Sequence, residues 1–141
     1  MMVTGEDGIL TTGRVTKVLP SMQQALHVHL VGDVHFDSPT CNRTAFRRVI
    51  KHIKKQHDAG TPYLVYFMGD QLDRCSASER SKIARAALHE STRAGDDKHA
   101  MRDVDEFYDI VSFMKGNIGG VIQGNHYWRF LTGDLAGKSS D

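Results

Sequence analysis

Apolar residues gather along this chain in three short runs, and each run stops at a glycine. Leu26, Val28, Leu30 and Val31 precede Gly32, Tyr63 to Met68 precedes Gly69, and Gly120 to Gln123 precedes Gly124. Runs of this length bounded by turn residues read as buried strands, placed at about 25–31, 63–68 and 120–123. Between the first two, Asn42 to Ala59 reads as an amphipathic helix. Phe46, Val49, Ile50 and Ile53 fall at i, i+3, i+4 and i+7, one buried stripe, and Gly60 with Pro62 supplies the stop. A helix of roughly 27 Å and a strand of roughly 20 Å make a matched βαβ unit. Such a unit sets both strand ends on one edge of a parallel sheet.

The stretch between the second and third strands predicts two helices and a loop. Ser76-Ala77-Ser78-Glu79 has the spacing of a capping box and opens a helix to about Thr92. Ala94 to Ala100 is polar and reads as a loop. A further helix over about 102–115 carries Val104, Phe107, Val111 and Met114 on one face and closes at Gly116. For the third strand to run parallel to the others, this helix must descend from the carboxyl edge of the sheet. That geometry would bring the loop, with His99, to the same edge. Residues 1–24 read as a leader or a short strand within Thr11–Leu19, residues 25–131 as an α/β domain, and residues 132–141 as a flexible tail.

Composition narrows the class without naming a chemistry. The 141 residues suffice for one domain, and an apolar fraction of 40% with 25% charged residues is ordinary for a globular chain. A formal net charge of +1 provides no global field toward nucleic acid or membrane. Local charge is another matter: Arg47, Arg48, Lys51, Lys54 and Lys55 crowd one helix. Without interleaved aromatics they read as a solvated face, and a nucleic-acid contact there has weak support. Cys41 and Cys75 form neither a disulfide framework nor a zinc-type pair. No apolar run approaches transmembrane length, and Met1 to Asp7 lacks the pattern of a signal peptide. A soluble cytoplasmic protein with no membrane partner is therefore expected.

The chemistry lies just after the three strands, in Asp33-Val34-His35, Asp70-Gln71-Leu72-Asp73 and Asn125-His126. Alternate residues of an extended chain point to one side, so Asp33 and His35 can reach one ion together. Gly32 is expected to permit a sharp turn there, and Ser38-Pro39 punctuate the exit. Carboxylate, imidazole and amide oxygen suit manganese, iron or zinc better than copper or an iron–sulfur cluster. Two such ions about 3.5–4 Å apart can clamp a phosphoryl group and generate hydroxide at neutral pH. His27 and His29, on the body of the first strand, read as packing or hydrogen-bonding residues. Asp and Asn at strand ends also cap turns well, but three such motifs in series favour a ligand role. A nucleotide-binding doubly wound domain is disfavoured, because no strand leads into a Gly-x-Gly-x-x-Gly turn or a Walker lysine.

In order and spacing, Gly32-Asp33-Val34-His35, Gly69-Asp70-Gln71-Leu72-Asp73 and Gly124-Asn125-His126 resemble the motifs of the calcineurin-like metallophosphoesterase family, over about Leu26 to Trp128. The resemblance implies hydrolysis of a phosphomonoester or phosphodiester by a metal-activated water. Asp33 and His35 would bind the first ion, Asp70 would bridge and Asn125 would bind the second. His126 would protonate the leaving group, and Asp73 would support Asp70 or its loop. That family completes its site with later histidines, one isolated and a pair in Gly-His-x-His, whereas no histidine follows His126 here. Where that family commonly has an acid after Asn-His, this chain has Tyr127, so the histidine lacks that carboxylate neighbour. By this likeness the chain is the first half of a two-sheet sandwich flanked by helices, with a weak second metal site. Self-association, or a second chain completing the site, is the expected consequence. The alternative is a non-catalytic binding or structural half-domain of the same fold.

Overall fold

A computed structural model of the chain describes residues 16–19, 21–22, 24–73, 87–126 and 130–138. Three strands, β1 (His27–Val31), β2 (Tyr63–Phe67) and β3 (Ile118–Val121), pair in parallel in the order β1-β2-β3. Among the described residues two helices, α1 (Arg43–Asp58) and α2 (Glu90–Val111), occupy the connections. The fold is therefore mixed α/β, as the alternation of short apolar runs with amphipathic stretches predicts. No helix among the described residues is long and apolar enough to cross a membrane. The proposed strand at Thr11–Leu19 lies outside the described residues up to position 15, and 16–19 are not extended into a sheet. The capping box at Ser76–Glu79 and most of its helix also lie outside them.

The helix α1 begins where Asn42 accepts the Ala45 amide at 3.0 Å, and it ends at Asp58, two residues before Gly60, whose φ is 66°. Phe46, Ile50 and Ile53 are buried on the sheet, while Val49, expected in the same stripe, is 43% exposed. From α2, Val111 is buried and Val104 and Phe107 are half-buried, with Met114 buried in the 3-10 turn Ser112–Met114 that follows. These residues meet Val31, Val65 and Phe67 from one face of the sheet, and Phe46 stacks on Phe107 at 5.8 Å. Both helices thus cover a single face, the outcome of two successive connections that progress in the same direction across a parallel sheet. On the opposite side Val28, Leu30, Met68 and Ile122 are exposed.

Two expectations need correction. Residues 94–100 are not a loop: they are the first half of α2, continuous with the helix expected from Arg102. Asp97, buried in that segment, accepts the amides of Leu131 and Thr132 and the Thr132 hydroxyl, each at 2.8 Å. Phe130 packs beside it against Ala100. These long-range contacts outweigh the low helix propensity of Gly95-Asp96-Asp97. They also dock the beginning of the segment expected to be a flexible tail, which contains a 3-10 turn at Gly133–Leu135. The second correction is the third strand, which starts at Ile118 rather than Gly120. Its glycines lie under the Tyr66 ring, where a Cβ on Gly119 would come within 2.5 Å of the ring. They belong to the strand because another side chain crosses close to its backbone.

Candidate functional site

The backbone gathers the three motifs before any side chain does so. Beyond the last paired residues of β1 and β2 the two segments stay hydrogen-bonded through their loops, with a one-residue slip after Asp33. Asp33 donates its amide to the Gly69 carbonyl at 3.0 Å, His35 to Asp70 at 3.0 Å and Phe36 to Gln71 at 2.8 Å. On the other side, the His126 amide donates to the Asp70 carboxylate Oδ1 at 2.9 Å. A Cβ on Gly124 would stand 2.0 Å from that same oxygen. Asp70 is therefore locked between the first and third motifs, and only a glycine at 124 permits the approach. Gly32 has a different reason from the sharp turn expected of it. It is not left-handed, but its missing side chain leaves room for Met68, whose Cβ would lie 2.7 Å from one placed there.

Among the described residues, three that are not glycine have positive φ: Asp33 at 56°, His35 at 46° and Asp70 at 53°. Asp and His enter this region more readily than most residues, yet each such conformation carries a cost. Strain concentrated at so few positions is characteristic of sites whose geometry serves a purpose. Here it turns Asp33, His35 and Asp70 toward one another, with a ligand atom from each inside a 4.8 Å span. His35 Nε2 lies 2.9 Å from Asp33 Oδ1. The Asp33 carboxylate is 85% exposed, so the cluster opens outward at the carboxyl edge of the sheet, where ligands of α/β sheets bind.

A second cluster shares His35. Asp73 Oδ1 lies 3.0 Å from His126 Nδ1 and 3.3 Å from His35 Nδ1, and the two imidazoles meet edge to face at 4.8 Å. The contact with His126 is a hydrogen bond. The contact with His35 lacks hydrogen-bond geometry and leaves that buried Nδ1 unsatisfied. Asp73 also receives a hydrogen bond from the Ser38 hydroxyl. That bond and the nearby His35 and His126 hold its carboxyl below the usual carboxylate range, against a smaller opposing effect of burial. Sequence reasoning assigned Asp73 to the support of Asp70 or its loop and missed this partnership with His126. An offset of three residues in a loop gives no period from which to read it. Asp37 adds a further tie by accepting the Asp73 amide.

Asn125 sits between Gly124 and His126, both of which touch Asp70, and its side chain is exposed at the rim of the site. His99 does not join it. It is an exposed residue within α2 and belongs to neither cluster. His29 hydrogen-bonds Gln56 of α1 at 2.6 Å, the packing and bonding role expected of it. The donor set fits a divalent ion: two carboxylates and an imidazole held close together by strained backbone, with an orphaned ring nitrogen beside them. No protein-family model matches the chain, and neither a curated protein nor a solved structure does.

Proposed function

We propose that this chain is a metal-dependent phosphoesterase domain, the first half of a metallophosphoesterase-like sandwich. Asp33, His35 and Asp70 would hold the principal divalent ion, and Asn125 would lend its amide to a weaker second position. The observation that carries this reading is the coincidence of strain and chemistry: the positive-φ residues are the candidate ligands. When bound, the ion supplies an activated water and neutralises phosphoryl charge. His126 acts as the proton donor. With Nδ1 engaged by the Asp73 carboxylate, its Nε2 is available to a leaving oxygen. Asp73 is a positioning residue that orients this imidazole.

The described residues provide about half the ligands of a closed two-ion site, so water fills the remainder and affinity is weak. Calorimetry with manganese on the wild type and on Asp70→Asn tests the assignment. The wild type should bind one dominant ion and the variant should lose most of that heat. Equal binding by both would remove Asp70 from the ligand set. Hydrolysis of an activated aryl phosphodiester with manganese should be slow or absent in the chain alone, because most of the rate depends on metal-stabilised charge. Robust turnover abolished in His126→Ala would overturn the half-site reading and place a complete catalyst in these residues. The rival reading, a non-catalytic binding piece, predicts neither manganese heat nor turnover.

A further inference from the structure

The helix α1 carries positive charge that its surroundings leave largely unanswered. Six lysines and arginines fall within Arg43–Asp58 against one acid, Asp58, while the rest of the chain holds more acids than lysines and arginines. Five of the six, Arg47, Arg48, Lys51, Lys54 and Lys55, occupy about a third of the helix circumference over a length of about 12 Å. All five are exposed. Arg43 is engaged by the Phe36 carbonyl at 3.0 Å and by Glu106 at 3.6 Å, and Lys54 by Asp58 at 2.8 Å. Among the described residues the other four, Arg47, Arg48, Lys51 and Lys55, have no ion-pair or hydrogen-bond partner. The periodicity alone reads as a solvated face, but the fold adds a shape to it. The cations line a groove of about 810 Å³ that runs along α1 and reaches Ile110 of α2, with Ile50 and Ile110 as its apolar lining.

From this combination we infer that the α1 groove binds single-stranded nucleic acid, through its phosphodiester backbone and without regard to sequence. Each feature of that partner answers a feature of the groove. About 12 Å of stacked strand carries three or four phosphates at about 3.4 Å each, close to one for each unpaired cation, and releases its condensed counterions as they meet. The Arg47 and Arg48 guanidinium groups offer the planar forks that match phosphate oxygens. Unpaired bases present flat apolar faces that can cover Ile50 and Ile110, whereas a duplex keeps its bases stacked inside and offers those residues nothing. No Phe, Tyr or Trp lines the groove, so charge supplies most of the binding and sequence little. A membrane surface fits less well. It needs an apolar edge to insert, and the apolar stripe of α1 at Phe46, Ile50 and Ile53 is turned onto the sheet. The groove contains none of Asp33, His35 and Asp70, so this inference and the phosphoesterase reading succeed or fail separately.

The test is fluorescence anisotropy on the full chain with a labelled twelve-residue oligothymidylate, in EDTA so that no metal ion takes part. Binding should be weak, with a Kd of about 10⁻⁶–10⁻⁴ M, and log K should fall against log salt with a slope of about −3, the value for four phosphates of a single strand. The double variant Arg47→Gln with Lys51→Gln should halve that slope and weaken binding about tenfold at low salt. Glutamine keeps the helix propensity of the residues it replaces, so the variant should fold as the wild type does. Lys98→Gln with Arg102→Gln removes the same charge from α2, away from the groove, and should leave binding unchanged. Duplex of the same length, polyglutamate and phosphatidylserine vesicles should each bind several-fold more weakly than the single strand. Absence of binding at low salt, a slope near zero, or equal losses in the two double variants would each overturn the inference. So would any of the three comparison ligands binding as tightly as the oligonucleotide.

Discussion

Single residues decide whether this edge of the sheet can exist. Gly124→Ala would force a methyl group against the Asp70 carboxylate, where the Cβ position is 2.0 Å from Oδ1. Neither partner can retreat without breaking the His126 amide bond, so the substitution should destabilise the fold by about 1–3 kcal/mol or more. Chemical denaturation would measure it, and a change within error of zero would show that the approach is looser than described. Asp73 makes a prediction about pH. Its carboxyl titrates lower in the folded chain than in the unfolded one. The stabilisation it provides is present above the unfolded value and lost as pH falls through the folded one. Asp73→Asn should therefore be less stable than wild type near neutrality, and the two should converge below about pH 4. Denaturation midpoints across that range would show the convergence, and a gap that stays constant would contradict it. The effect is modest, because the Asp73 side chain is 34% exposed.

At the scale of elements, the strands and α1 were legible because their signals are local. Apolar runs ending in glycine, a stripe at Phe46, Ile50 and Ile53 and the stop at Gly60 and Pro62 each act within a few neighbouring residues. The first half of α2 was not legible, for the opposite reason. Gly95, Asp96 and Asp97 disfavour a helix in isolation, and what holds them is a segment more than thirty residues downstream. Asp97→Ala should release that segment by leaving the Leu131 and Thr132 amides without their acceptor. The expected cost is about 1–3 kcal/mol. Hydrogen exchange should accelerate at those two amides and in the first turns of α2 while β1 and β2 stay protected. Uniform exchange across the whole chain would mean the helix and sheet unfold as one unit. In the site, the gathering of Asp33, His35 and Asp70 was readable from their place after strands. The Asp73–His126 pair depends on loop conformation and could not be read.

For the whole molecule, the dominant fact is that both described helices lie on one face of the sheet. Val28, Leu30, Met68 and Ile122 are exposed on the face opposite the helices, and a contiguous apolar patch commonly marks an interface or an aggregation hazard. The purified chain should self-associate, and Leu30→Lys should shift it toward monomer without altering manganese binding. Light scattering and hydrophobic-dye fluorescence would follow both. A dispersed wild-type monomer that binds no dye would refute the idea.

The placement of Asp70 just beyond the central strand also has a consequence in time. Its neighbours are β1, whose residues pair with β2 at an offset of 36 positions (His27 with Tyr63), and the third motif, 56 residues away at His126. Two long crossovers must close before Asp33, Asp70 and His126 meet, and contacts of such separation form late on the folding path. An ion held by these residues cannot nucleate the chain. In stopped-flow experiments manganese should leave the refolding rate unchanged and slow unfolding alone, since it stabilises contacts absent from the transition state. The metal would be a latch on a door that has already shut.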